Sequence, residues 1–135
     1  MHQSLYTLQK SGTPGNNYHN ALVFSPTNDL LAVETDIGIQ IWDAKTGQEK
    51  EGPKFSEQSS NFRYHGAAAF SQDGGLLAYV NENGDFSIWD MTRKEIVSTI
   101  TGHASFINAI AFSPDNCMIV SASDDGTVRI WGIKP

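Results

Sequence analysis

The chain has 135 residues, 39% of them apolar, enough to build a packed core and too apolar for a disordered chain. Nine basic residues stand against fifteen acidic ones, a net charge of −6, without the basic cluster that a nucleic-acid duplex or an anionic membrane surface requires. A single cysteine, Cys117, excludes an intrachain disulfide and fits a reducing compartment, so the expected location is cytoplasmic; a secretory leader and an apolar run of about 18 residues are both missing.

In chain order, Leu5-Tyr6-Thr7-Leu8 reads as a spare outer strand, because it resembles Val97-Ser98-Thr99-Ile100 further on. Gly12 to Asn20 reads as an irregular loop. A first segment then runs Phe24-Ser25-Pro26, Leu30-Leu31-Ala32-Val33 and Ile39-Gln40-Ile41-Trp42-Asp43, read as strand, turn, strand, turn, strand. Gln48 to Phe55 has to serve as a fourth strand, although Gly52-Pro53 interrupts it. Proline lacks an amide donor and so belongs on an outer edge. Ser56 to Tyr64 is a second irregular loop.

The pattern recurs as Phe70-Ser71-Gln72, Leu76 to Val80 and Phe86-Ser87-Ile88-Trp89-Asp90, with Glu95 to Ile100 as the fourth strand. It recurs again as Asn108 to Phe112, a Ser113-Pro114-Asp115-Asn116 turn, Cys117 to Ser121 and Thr127 to Trp131, where the chain stops short of a fourth strand. Proline presets φ and Asp or Asn bonds its own backbone, which makes a turn of the second group. Asn83-Gly84 and Asp125-Gly126 are two-residue hairpin signals, since Gly tolerates positive φ. Asp36-Ile37-Gly38 is a looser version.

Phe24, Phe70 and Phe112 stand 46 and 42 residues apart, and Trp42, Trp89 and Trp131 stand 47 and 42 apart. A period near 40–45 with a Trp-Asp pair marks four-stranded propeller blades. The motifs Gly102-His103, Phe112-Ser113-Pro114-Asp115, Ser121-Ala122-Ser123-Asp124-Asp125-Gly126 and Val128-Arg129-Ile130-Trp131 resemble the WD-repeat (WD-40) family over about residues 20 to 132. The resemblance implies an all-β fold of three four-stranded antiparallel blades, as an open arc or part of a larger ring. The expected units are an N-terminal segment 1–19 and repeats at 20–64, 65–103 and 104–135, the last without its outer strand.

The same resemblance implies a docking platform for other proteins or peptides, without catalysis or cofactor. It also implies a structural tetrad of His103, Ser123, Asp125 and Trp131. The other repeats depart from it. Asn83, Asn81 and Asn61 stand for the Asp, Ser and His of the second; Asp36 and Trp42 survive in the first, with Gly15 at the His position and Glu34 or Thr35 at the Ser position.

Chemical readings of the same residues are weaker. His2, His19, His65 and His103 lack metal-ligand spacing. The Ser-His-Asp set of the third repeat is better accounted for by the tetrad than by a hydrolase triad, which needs a cleft and an oxyanion hole. Asp124-Asp125 is turn chemistry, Cys117 has no neighbouring base, and no G-x-G-x-x-G follows a strand. Phe62, Arg63 and Tyr64, of types enriched at interface hot spots, are the candidate partner contacts. Three blades are fewer than the four to eight of closed propellers. The chain is therefore expected either to be part of a longer array or to self-associate by trading the N-terminal strand. A channel-site enzyme and a remnant without independent role are the remaining readings.

Overall fold

The computed structural model describes residues 18–35, 37–55 and 67–133. Eleven strands are found among them: β1 (Tyr18–Phe24), β2 (Leu30–Thr35), β3 (Gly38–Asp43), β4 (Glu49–Lys50), β5 (Ala68–Phe70), β6 (Leu76–Val80), β7 (Phe86–Asp90), β8 (Glu95–Ile100), β9 (Ile107–Phe112), β10 (Met118–Ser123) and β11 (Val128–Gly132). They form antiparallel sheets in the orders β1-β2-β3-β4, β5-β6-β7-β8 and β9-β10-β11. The sheets are the three expected blades, all-β, the third with three strands among the described residues. β1 starts at Tyr18, so the expected loop Gly12–Asn20 gives way to strand in its last three residues. The candidate outer strand Leu5–Leu8 and the loop Ser56–Tyr64 lie outside the described residues.

Local chemistry explains the repeated motifs. The serine after each Phe shapes the turn out of the first strand. Ser71 Oγ donates to Asp73 Oδ1 at 2.6 Å and accepts the Leu76 amide, while Asp73 Oδ1 accepts the Gly75 amide. Ser113 and Asp115 repeat this with Met118 and Cys117. The Asp after Trp works the same way at the next turn. Asp43 Oδ1 accepts the amides of Lys45 and Thr46, and Asp90 Oδ1 those of Thr92 and Arg93. These amide bonds hold both carboxyls below the ordinary carboxylate range.

The hairpins differ from the expected two-residue turns. Ser123 N donates to Thr127 O and Gly126 N to Ser123 O, and only Gly126 takes positive φ. Asn81, Asp85 and Gly84 repeat the arrangement. Each is a three-residue loop, a tight turn followed by a left-handed glycine, rather than a pair of left-handed residues. Asp125 and Asn83 stay at negative φ; the Asp125 carboxylate accepts the Thr127 amide, and the Asn83 amide donates to Asn81 Oδ1. The outer strand of the first blade also shrinks to Glu49–Lys50. Beyond it the edge is held by Ile39 N donating to Pro53 O, by Phe55 N donating to Ile37 O and by the Gly38–Lys54 bridge.

Register defines two faces per blade. Leu31 pairs with Trp42, Leu77 with Trp89 and Ile119 with Trp131, so these residues share a tryptophan face. Ala32–Ile41, Ala78–Ile88 and Val120–Ile130 lie on the opposite face. β5 lies against β1 on one side and β9 on the other. Phe86, from the second blade's opposite face, meets Trp131 edge-on at 6.0 Å. Thus the tryptophan face of the third blade packs on the second. One core cluster runs through all three sheets, from Ala32, Ile39 and Ile41 through Leu77, Phe86 and Trp89 to Ile107, Phe112 and Ile119. Val33 and Trp42, on the first blade's tryptophan face, are buried as well. The corresponding turns of the three blades are also tied along one rim: Thr27 Oγ1 donates to Asp73 O, and Gln72 N to Asn116 Oδ1 at 2.7 Å.

Candidate functional site

The densest polar cluster in the described residues is in the third blade. His103 sits just before β9, Ser121 on β10, Asp125 in the hairpin and Trp131 on β11. The Trp131 indole N–H donates to Ser121 Oγ at 2.9 Å, the Ser121 hydroxyl faces His103 Nε2 at 2.7 Å, and His103 Nδ1 faces an Asp125 carboxylate oxygen at 2.9 Å. With the imidazole neutral and its proton on Nδ1, every step has one donor and one acceptor: indole to serine, serine to imidazole, imidazole to carboxylate. Thr127 and the Ala104 amide also donate to Asp125. The Thr127 hydroxyl first, then the Ala104 amide and His103, hold that carboxyl far below the ordinary range.

Of the expected tetrad, the structure brings together His103, Asp125 and Trp131, and joins them through Ser121 rather than Ser123. The two serines share a face, but they are two residues apart on a rising strand. Trp131 pairs with Ile119, so the next residue along its face is Ser121, which pairs with Arg129. Ser123 lies at the strand end, where its Oγ accepts the Asp125 amide and donates to Ser105 O. Counting pairs outward from the tryptophan would have found Ser121; counting motif residues did not.

The same register places the other repeats. Tyr79 in the second blade and Val33 in the first stand where Ser121 stands, so Asn81 and Thr35 correspond to Ser123. The expectation that Asn81, and Glu34 or Thr35, take the network serine's place is corrected accordingly. Asn81 instead donates to Ser87 Oγ and accepts the Asn83 amide, and Ser87 bonds Thr99. Trp89 Nε1 is buried without a partner. Trp42 Nε1 donates to Gln40 Oε1 at 3.3 Å. Tyr79 is itself buried, which pushes its phenol up to about 12. Gly15, Asp36, Asn61 and His65 lie outside the described residues, as do the candidate contacts Phe62, Arg63 and Tyr64.

Ser121, His103 and Asp125 have the connectivity of a hydrolase triad, but Ser121 is 1% exposed and its oxygen already accepts the indole proton. A nucleophile must face a cleft in which substrate sits. Gly102 explains the Gly-His pair: a Cβ there would lie 2.8 Å from the Trp131 ring. The glycine lets the chain pass close to the indole and deliver His103 beside it, the two rings T-shaped with centroids 6.4 Å apart. The neighbouring groove, about 280 Å³, is lined by Asn83, Gly84, Asp85, His103, Ser105 and Phe106. Burial pushes the Asp85 carboxyl up. A second groove of about 550 Å³ lies between the first two blades, bordered by Asn28, Asp29, Asp43, Lys50, Thr92 and Lys94.

Residues 94–132 match the family described as WD domain, G-beta repeat. The chain is 29% identical over 109 residues to nuclear distribution protein PAC1 of Arthroderma otae, covering 78% of this chain and 24% of that protein. It is 30% identical over 120 residues to the chromatin assembly factor 1 subunit FAS2 homolog of Oryza sativa subsp. japonica, covering 86% and 23%. It is 32% identical over 100 residues to human WD repeat and SOCS box-containing protein 1, covering 73% and 23%. The chain thus spans about a quarter of the length of these relatives. Among solved structures, the RRP9 WD40 repeats align with a TM-score of 0.73 at 22% identity, over 90% of this chain and 37% of that one. The repeat match, the relatives and the shared architecture together show a chain made of WD repeats, its sheets the blades of a WD-repeat β-propeller.

Proposed function

We propose that the chain is a non-catalytic docking scaffold that presents loops and inter-blade grooves to another protein or a peptide. The observation that carries this reading is the closed polar network of the third blade. Its imidazole, hydroxyl, carboxylate and indole spend their hydrogen bonds on one another and fix the blade, so they hold loops in place rather than meet a substrate. The ties Thr27–Asp73 and Gln72–Asn116 stiffen the rim that such a partner would meet. Stiff loops bind at a lower ordering cost. One relative is named as a subunit of an assembly factor, which agrees with a role inside a complex.

Phe62, Arg63 and Tyr64 are the proposed partner contacts, and the cytoplasm is the proposed location. The test is affinity enrichment from cytoplasmic extract with the wild type and a Phe62→Ala, Arg63→Ala, Tyr64→Ala variant. The expected result is a defined protein retained by the wild type and lost by the variant, whose melting curve stays the same. Turnover in a hydrolase substrate panel that disappears in Ser121→Ala would replace this reading with an enzyme.

A further inference from the structure

The two ends of the blade stack expose apolar faces of opposite kinds. Phe70 and Phe112 occupy the same place on the tryptophan faces of the second and third blades, paired with Leu77 and Ile119, and are 6% and 7% exposed. Their counterpart in the first blade, Phe24, paired with Leu31, is 62% exposed, and Leu22 beside it on the same face is 67% exposed. The opposite face behaves in reverse. Ile41 and Ile88 are 0% and 4% exposed, while the equivalent Ile130 is 67% exposed. Ile39 and Phe86 are 3% and 0% exposed, against 70% for Val128. Residue type is kept and burial is lost. Each apolar face is built for a neighbour, and the two internal interfaces show which neighbour it is: the face of the other kind.

We infer that a second copy of this chain docks head to tail, laying Leu22 and Phe24 of its first blade on the Val120, Val128 and Ile130 face of the third. A further blade is the cover that the internal interfaces prescribe, and this chain carries both faces. Val33 and Trp42 on the first blade's tryptophan face are already buried, so Leu22 and Phe24 are what that face leaves open. Two copies joined at both ends would close six blades, within the range of closed rings, and the pair has the closed symmetry of common homo-oligomers. The inference does not depend on which protein the loops bind.

The test is solution mass by sedimentation of the full chain across a concentration series, with Phe24→Asp and Ile130→Asp as single variants. The wild type is expected at the mass of two chains, and each variant alone at the mass of one. Mixed, differently labelled copies of the two variants retain one intact interface between them. They are expected to associate, read by energy transfer, at a higher concentration than the wild type. Both replaced side chains are exposed, and an unchanged far-UV spectrum checks folding, with Leu22→Asp and Val128→Lys as substitutes where a variant fails it. A wild type that stays monomeric, a dimer indifferent to both substitutions, or mixed variants that do not associate would each overturn the inference.

Discussion

Ser121 is where residue-level reasoning succeeds and fails together. The parity of the strand, with alternate side chains facing opposite ways, was legible and admits both Ser121 and Ser123 to the tryptophan face. Register was not legible, because it is set by the hairpin's loop length, and the Asp-Gly pair permits more than one. The distinction has a measurable price. Ser121→Ala leaves the Trp131 N–H and a His103 nitrogen unpaired near the core, at ~1–3 kcal/mol each. Ser123→Ala loses only end-of-strand bonds, about 1 kcal/mol. Urea unfolding should rank Ser121→Ala as the more destabilised by at least ~1 kcal/mol; equal losses would restore Ser123 to the network. Acid acts on the same cluster. The folded Asp125 carboxyl holds its charge below the pH at which an unfolded one, with its usual value of 3.8, takes up a proton. Its contribution is therefore complete above about pH 4 and drains away as pH falls below that value. Asp125→Asn should flatten the dependence of melting temperature on pH across this acid range relative to the wild type.

At the scale of elements, hydrophobic alternation and turn residues located the strands well. Glu95–Ile100 emerged with the bounds read from the sequence, and Gly52-Pro53 did break the first blade's outer strand. Turn type was less visible, since a left-handed glycine serves both two- and three-residue hairpins and only the φ of its neighbour separates them. Gly126 at φ 87° is the residue this geometry requires, whereas Gly132 on β11 has ordinary backbone and open space around it. Replacing Gly126 by Ala should cost roughly 1–2 kcal/mol. Gly132→Ala should cost nothing or stabilise slightly by limiting the unfolded chain. Chemical denaturation of the two variants checks the contrast.

For the whole molecule, the repeat period disclosed the architecture because each blade repeats one burial plan, and the comparison of equivalent residues follows from it. The proposed partner contacts were not open to the same reasoning: Phe62, Arg63 and Tyr64 stand in the irregular loop Ser56 to Tyr64, outside the strand pattern that the blades repeat. Stability should be graded along the stack. The middle blade is covered on both faces, with Leu77, Ala78, Tyr79, Phe86 and Ile88 all buried, whereas most of β11 is exposed. Hydrogen exchange should find the slowest amides in β6 and β7 and faster ones in β11, in keeping with exchange through local opening. Uniform protection across the three blades would contradict this gradient.

The three indoles also differ in a way that light can read. Trp42 and Trp89 are buried, while Trp131 is half-buried, with its ring centroid 6.4 Å from that of the His103 imidazole in a T-shaped arrangement. Its emission is therefore expected to lie furthest to the red and to be the most accessible to iodide, which would give the intrinsic fluorescence of the unlabelled chain a separate signal from the blade that holds the polar network.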